Sequence, residues 1–246
     1  MKKPNSTLPK RSSPGNSLED QAYRQLRQAL VDGNFIPGQK LSIRRIASEL
    51  GTSPMPVRTA LGRLIAEQAL DVLPSGTAVV PRLTRKAFEQ LGLVRAALEP
   101  LAVKLAGPNI DTSTREKLGE LLKIERMARE AGDSGQLLRA DRQFLFTLYE
   151  PCQAPILMAM IEATWLRRSP HFWGAQWLII GRLPSGSKHA DILGAIDSGD
   201  FDYAGDLIKA EIQSATSYLL ERMSFIGDPI SAPKLRPLSR GPKRGR

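Results

Sequence analysis

The feature that most restricts this chain is a pair of short helix signals separated by a tight turn, "SIRRIASELGTSPMPVRTALGRL" at 42–64. Ser42 is placed to cap the first helix, with Ile46, Ala47 and Leu50 on its inner face, and Gly51 supplies the stop. Ser53 is placed to cap the second, with Pro54 at its first position and Pro56 at its third. The first four N–H groups of a helix have no internal partner, so prolines cost little there and their fixed φ shapes the first turn. Val57, Ala60, Leu61 and Leu64 then fall on one face, with Arg58 and Arg63 elsewhere. An earlier helix is expected from Ser17, where Leu18, Ala22, Leu26, Ala29 and Leu30 recur at helical spacing until "DGNFIPG". "ALDVLPSGTAVV" reads as two short strands around a Pro-Ser-Gly turn. A leading helix, a helix-turn-helix and a hairpin make a winged helix, whose third helix presents its N-terminal end to the major groove of double-stranded DNA.

The stretch "PGQKLSIRRIASELGTSPMPVRTALGRLIAEQALDVLPSGTAVV" resembles the winged-helix domain of the GntR family of bacterial transcription regulators over nearly its whole length. The resemblance implies DNA contacts at Arg44 in the second helix, at Ser53, Met55 and Arg58 in the third, and at Gly76 at the wing tip. Two positions depart from the family: Pro54 stands where an arginine is usual, and Thr59 where a glutamate is usual.

From Thr84 to about Met223 no strand pattern is present. Helical periodicity recurs at 85–106, 113–131, 135–150, 154–168, 186–198 and 200–224, with a capping box expected at Thr112 or Ser113 with Glu116. An aromatic stretch, "HFWGAQWLII", interrupts the series, and its His171 is expected to be structural and partly exposed. The fold class expected is mainly α: a winged helix over 18–82, then an all-α antiparallel bundle over 83–226, flanked by tails at 1–17 and 227–246.

Several residues on the apolar stripes of that bundle are charged or polar. Asp141 lies among Leu137, Leu138, Phe144, Leu145 and Leu148, and His189 shares a face with Ile192, Leu193 and Ile196. Glu211 is in line with Leu207, Ile208 and Ala215, and Arg95 with Leu91, Leu98 and Ala102. Buried charges are costly unless paired or bound to metal, so Arg95, Asp141, His189 and Glu211 are expected to share a central polar pocket.

"VRAALEPLAVKLAG", "DRQFLFTLYE" and "KHADILGAIDSGDFDYAGDLIKAEI" resemble the effector domain of the FadR-type subfamily. Many of its members hold a divalent metal with an Asp, a His four residues later and two further histidines, and bind a small carboxylate effector beside it. The resemblance places Asp141 and His189 on two of those positions, a leucine (Leu145) on the second, and Glu211 on the fourth. An Asp141, His189, Glu211 site would suit Zn, Mn, Ni or Fe as the divalent ion. Two alternatives stand beside it: a metal-free pocket in which Arg95 and protonated His189 neutralise the carboxylates, and a purely structural polar cluster.

The net charge of +10 resides almost wholly in the ends: residues 1–17 carry four Lys or Arg and no acid, and residues 227–246 carry six against Asp228 alone. Such tails suit loose contact with a polyanion, which keeps a sequence-indifferent nucleic-acid binder as an alternative. A metal-dependent enzyme is disfavoured, since H-E-x-x-H, G-x-S-x-G and Gly-rich phosphate loops are all missing from the sequence. The single cysteine, Cys152, and the lack of a long apolar run or a secretory signal point to the bacterial cytoplasm. The expected protein is a homodimer that binds a palindromic operator and responds to an effector.

Overall fold

The structure is a computed structural model that describes residues 17–174 and 188–227, with side chains described for 17–168 and 188–227. Helix α1 (Leu18–Val31) is capped by Ser17, whose hydroxyl accepts from the Asp20 N–H, and buries Ala22, Leu26, Leu30 and Val31. Leu18, expected on the inner face, is more than half exposed because it precedes the first packed turn. Helix α2 (Ile43–Glu49) is capped by Ser42, and Gly51 leaves it at φ +62°. Helix α3 (Pro54–Ala66) packs on α1 through Val57, Ala60, Leu61 and Leu64.

Ser53 occupies the cap position of α3, but its hydroxyl makes no capping bond. An N-cap side chain accepts from the second or third helical N–H, and Pro56 removes the third. Strands β1 (Asp71–Val72) and β2 (Ala78–Val79) form the expected hairpin, with Gly76 at φ +78° closing the turn onto the Leu73 carbonyl. Lys40 bridges to Val79, and the Leu41 and Val80 N–H groups donate to the Ala78 and Gln39 carbonyls, so the wing gains a third strand segment before α2.

Among the described residues the helical part runs in order through α4 (Arg85–Ala106), a 3-10 turn at Gly107–Asn109, α5 (Thr112–Glu130), α6 (Ser134–Tyr149), a second 3-10 turn at Glu150–Cys152, α7 (Pro155–Gly174), α8 (His189–Asp197) and α9 (Phe201–Arg222). The cap of α5 is Asp111, which accepts from the Thr114 N–H at 2.7 Å, and not Thr112 or Ser113. An aspartate one residue earlier offers a charged acceptor to the same orphan donors, and hydrogen bonding from the Thr114 side chain, then from its N–H, holds the carboxyl below the usual range. Helix α7 runs on to Gly174, so the first four residues of the aromatic stretch continue it; the His171 side chain and 175–187 lie outside the described residues.

The long helices α4 and α9 pack against each other at close range because small residues meet larger ones at three levels. A Cβ at Gly92 would strike Thr216, one at Gly205 would lie 3.2 Å from the Pro100 carbonyl, and one at Gly107 would overlap the Phe201 ring. The core of the bundle lies between this pair and α5, α6, α7 and α8, with Ala102, Val103, Leu118, Phe144, Leu148, Ile161, Ile192 and Ile208 fully enclosed. Gly107→Ala is therefore expected to lower stability by about 1–3 kcal/mol, read as a shift in denaturant midpoint, because a rigid ring cannot yield to the added methyl. An unchanged midpoint would show that the α4–α9 crossing relaxes freely.

Candidate functional site: a buried carboxylate–histidine centre beneath a winged reading head

Four helices bring the bundle's polar groups to one place. His189 opens α8 and is fully buried, stacked on Phe144 with ring centroids 4.1 Å apart. Its Nδ1 lies 2.6 Å from Oε1 of Glu125 on α5. Its Nε2 faces Oδ1 of Asp141 on α6 and Oε2 of Glu211 on α9, each at 3.8 Å. These separations exceed a hydrogen bond, and both His189 Nε2 and Glu211 Oε2 are buried without a hydrogen-bond partner among the described residues. Leu145, one turn on from Asp141, is buried hydrocarbon in the core.

Glu125 escaped the sequence reading. Its position among Leu118, Leu121 and Ala128 repeats the pattern that singles out Asp141, a charged residue on an apolar stripe. Its role follows from the tautomer. In the neutral imidazole, an Nδ1–H donated to the Glu125 carboxylate would leave the Nε2 lone pair directed at Asp141 and Glu211; in the imidazolium both ring nitrogens carry a proton. Ligand atoms of Glu125, Asp141 and His189 all lie within 4.8 Å of one another.

Three carboxylates round one imidazole set its charge. Burial alone lowers the His189 pKa, but the Glu125 hydrogen bond and the charges of Glu211, Glu125 and Asp141 outweigh it and raise the value to about 9. Burial, reinforced by Glu125 and Glu211 against the opposing pull of His189, raises Asp141 to about 7.

Arg95 stands at a second buried centre. Its guanidinium is bonded to Glu99 one turn along α4, at 2.5 and 3.0 Å, and lies 4.4 Å over the Trp165 ring. Glu99, with no exposed surface, also accepts from Tyr149 Oη at 2.8 Å and Trp165 Nε1 at 2.9 Å. Asp141 acts on Arg95 through its field, without a direct bond. Arg168 is buried near the same aromatic groups, and burial together with Arg95 pushes its pKa well below the ordinary value. The two centres thus adjoin, and Arg95 is committed to Glu99 rather than to Asp141 and Glu211.

In the winged helix, Arg44, Ser53, Met55, Arg58 and Gly76 are all exposed on α2, α3 and the wing turn. Arg44 and Arg58 make no ion pair among the described residues, whereas Arg45 pairs with Glu49 and Arg63 with Asp20. Met55 at the second position of α3 is 62% exposed. No helix among the described residues is long and apolar enough to cross a membrane.

Comparison with known proteins bears on both parts. Residues 18–80 match the bacterial regulatory proteins of the gntR family, and residues 90–214 match the FCD domain. The HTH-type transcriptional regulator McbR of Escherichia coli (strain K12) is 36% identical over 154 residues, covering 63% of this chain and 70% of that protein. The Nta operon transcriptional regulator of Aminobacter aminovorans is 26% identical over 194 residues, covering 78% and 89%. Among solved structures, E. coli McbR/YncC superposes with a TM-score of 0.73 at 30% identity, over 83% of this chain and 98% of that one. A GntR regulator from Rhodococcus sp. RHA1 shares the fold, with a TM-score of 0.68 at 22% identity over 84% of this chain and 99% of that one. With its winged helix, its helical FCD domain and these relatives, the chain belongs to the GntR family as a FadR-type transcriptional regulator, and not to a family of enzymes.

Proposed function

We propose that this regulator binds a two-fold symmetric operator as a homodimer and is switched by a small carboxylate held beside a divalent metal in the bundle. The observation that carries the reading is the pair of buried, unpartnered atoms His189 Nε2 and Glu211 Oε2, which face each other beside Asp141. Donors 3.8 Å apart suit two ligands of one ion with bonds of roughly 2.0–2.2 Å. His189, Asp141 and Glu211 would hold Zn²⁺, Mn²⁺, Ni²⁺ or Fe²⁺, with Glu125 orienting the imidazole from behind. A bound ion supplies positive charge that offsets the carboxylates and attracts an anionic effector. Leu145 leaves one side of the site to a ligand from outside the chain, and Arg95 lends its field from the adjoining cluster.

Dimerisation through α4 is supported by its outer stripe. Val94, Leu101 and Leu105 are exposed and Leu98 half-buried, at the four-three-four spacing of a helix seam. A two-fold dimer places two reading heads on successive half-sites.

Arg58→Ala is expected to weaken binding to duplexes selected by the protein from a random pool by about 10- to 100-fold, with selectivity lost at one symmetric pair of positions. Arg44→Ala is expected to weaken all duplexes alike and to reduce the salt slope by about one. Met55→Ala tests whether the apolar tip between the two prolines adds to base selection. Fluorescence anisotropy against selected and scrambled duplexes measures all three. Equal affinity of the unaltered protein for both duplexes would leave only sequence-indifferent attraction by the tails.

A further inference from the structure

Helix α7 belongs to both parts of the molecule. Ile161 and Trp165, four residues apart, lie in the core of the bundle. Glu162 and Leu166, the adjacent row, face the reading head: Glu162 pairs with Arg27 of α1 at 2.6 Å, and Leu166 is buried in the winged-helix core. Arg167 donates to the Gln68 carbonyl at 2.6 Å and pairs with Asp71 of the wing at 3.2 Å. Residues 162–167 therefore hold α1, the turn that follows α3 and the first wing strand.

The inner row reaches the polar interior of the bundle. Trp165 Nε1 is bonded to Glu99 and its ring carries the Arg95 guanidinium, so its position depends on how that cluster is arranged. Helix α6 makes a parallel connection. Asp141 faces His189, while the next residue, Arg142, lies within electrostatic reach of Asp32, Arg27 and Glu162. The Arg142 Nε is buried without a hydrogen-bond partner among the described residues. A cleft of 240 Å³ bounded by Tyr23, Arg27, Glu67, Ala163 and Leu166 lies between the winged helix and α7.

We propose that α7 is the lever of the switch: Trp165 senses the arrangement of the buried polar cluster, and Glu162, Leu166 and Arg167 pass it to the reading head. The assignment rests on the reading that the bundle is a sensor, and it names the positioning residues that make sensing felt at the DNA. Coupling of this kind requires an element whose placement both sites bias, and α7 is bonded to each. Residues 161/165 and 162/166 are neighbouring rows of one rigid helix, so a shift of the first row displaces the second.

Amide hydrogen exchange on the full-length protein, with and without Zn²⁺, tests this. Trp165→Phe removes the bond to Glu99 and keeps an aromatic ring. It is expected to speed exchange at least several-fold in residues 67–72 and in the second half of α1, far from the substitution in sequence. An Ile208→Val control on α9 that loses as much thermal stability should leave those segments unchanged. Glu162→Gln with Arg167→Gln, both at partly exposed sites, should abolish any Zn²⁺-dependent change in the head while keeping the protection Zn²⁺ gives α8. Unaltered head exchange in Trp165→Phe, or equal loosening in the control, would overturn the lever, as would a Zn²⁺ response in the head that survives the double variant. Should Zn²⁺ protect nothing in α8, the metal reading falls while the Trp165→Phe comparison still decides the lever. If Trp165→Phe does not fold, the Glu162 and Arg167 variants decide it through their own effect on residues 67–72, where unchanged exchange overturns it.

Discussion

Glu99→Ala is expected to cost about 3–5 kcal/mol, the range for stripping one partner from a buried ion pair. Glu99 has no exposed surface and accepts from the Arg95 guanidinium, the Tyr149 hydroxyl and the Trp165 indole. Its loss leaves one buried charge without a counter-ion and two buried donors without acceptors, each needing compensation that an apolar bundle core does not offer. For a chain of this length the change corresponds to a fall in Tm of roughly 6–20 °C. Glu99→Ala with Arg95→Met should recover much of that loss, because the second substitution removes the orphaned charge while filling similar volume. Thermal unfolding of the three proteins decides the matter. A Tm within about 2 °C of the parent for Glu99→Ala would mean that water or a rearranged carboxylate already satisfies Arg95.

That cluster also shows what the sequence conceals. The winged helix is legible because each of its parts is local: Ser42 as cap, Gly51 at positive φ, two prolines where N–H groups are expendable, and Gly76 in a two-strand turn. Helix positions in the bundle are equally legible from periodicity, and where the cap of α5 falls at Asp111 the misplacement is one residue among several competent acceptors. Asp141, His189 and Glu211 do converge, as charged residues on apolar stripes should. Glu125 and Glu99 sit on such stripes too, but glutamate is a good helix former and a solvated position is its usual place, so one helix read alone does not distinguish them. Partner choice is the harder matter. Glu99 stands four residues after Arg95 on one helix, so that pair is open to spacing alone, but the convergence of Tyr149 and Trp165 on Glu99 depends on how the helices pack, which periodicity does not encode. The third wing segment at Lys40 and the insertion of Leu166 into the reading head are non-local for the same reason.

Metal affinity should rise steeply with pH, and His189→Ala should abolish it. A metal takes the deprotonated Nε2, and with the His189 pKa at about 9 the free protein at neutral pH carries a proton that the ion must displace. Asp141, at about 7, surrenders a second proton on the acid side. The apparent affinity for Ni²⁺ or Zn²⁺ is therefore expected to grow about a thousandfold from pH 6 to pH 8 and to level off above pH 9. Calorimetry in buffers of differing ionisation enthalpy should count nearly two protons released at pH 6 and about one at pH 8. Stability of the metal-free protein should run the opposite way. Both groups have folded pKa values above their unfolded ones, so His189 contributes fully below its ordinary 6.5 and the contribution is lost as pH rises through about 9. The Asp141 contribution is likewise full below 3.8 and lost as pH rises through about 7. The metal-dependent gain in Tm should accordingly widen from pH 6 to pH 8, with about one ion per chain retained through dialysis at the higher pH. In His189→Ala retention should vanish, whereas the double substitution Arg95→Met with Glu99→Ala should leave it near the parent level, since that pair is bonded to itself and not to the His189 cluster. A pH-independent affinity, or an ion held as firmly by His189→Ala, would place any metal elsewhere and return His189, Asp141 and Glu211 to a metal-free pocket whose charge is set by a protonated imidazole.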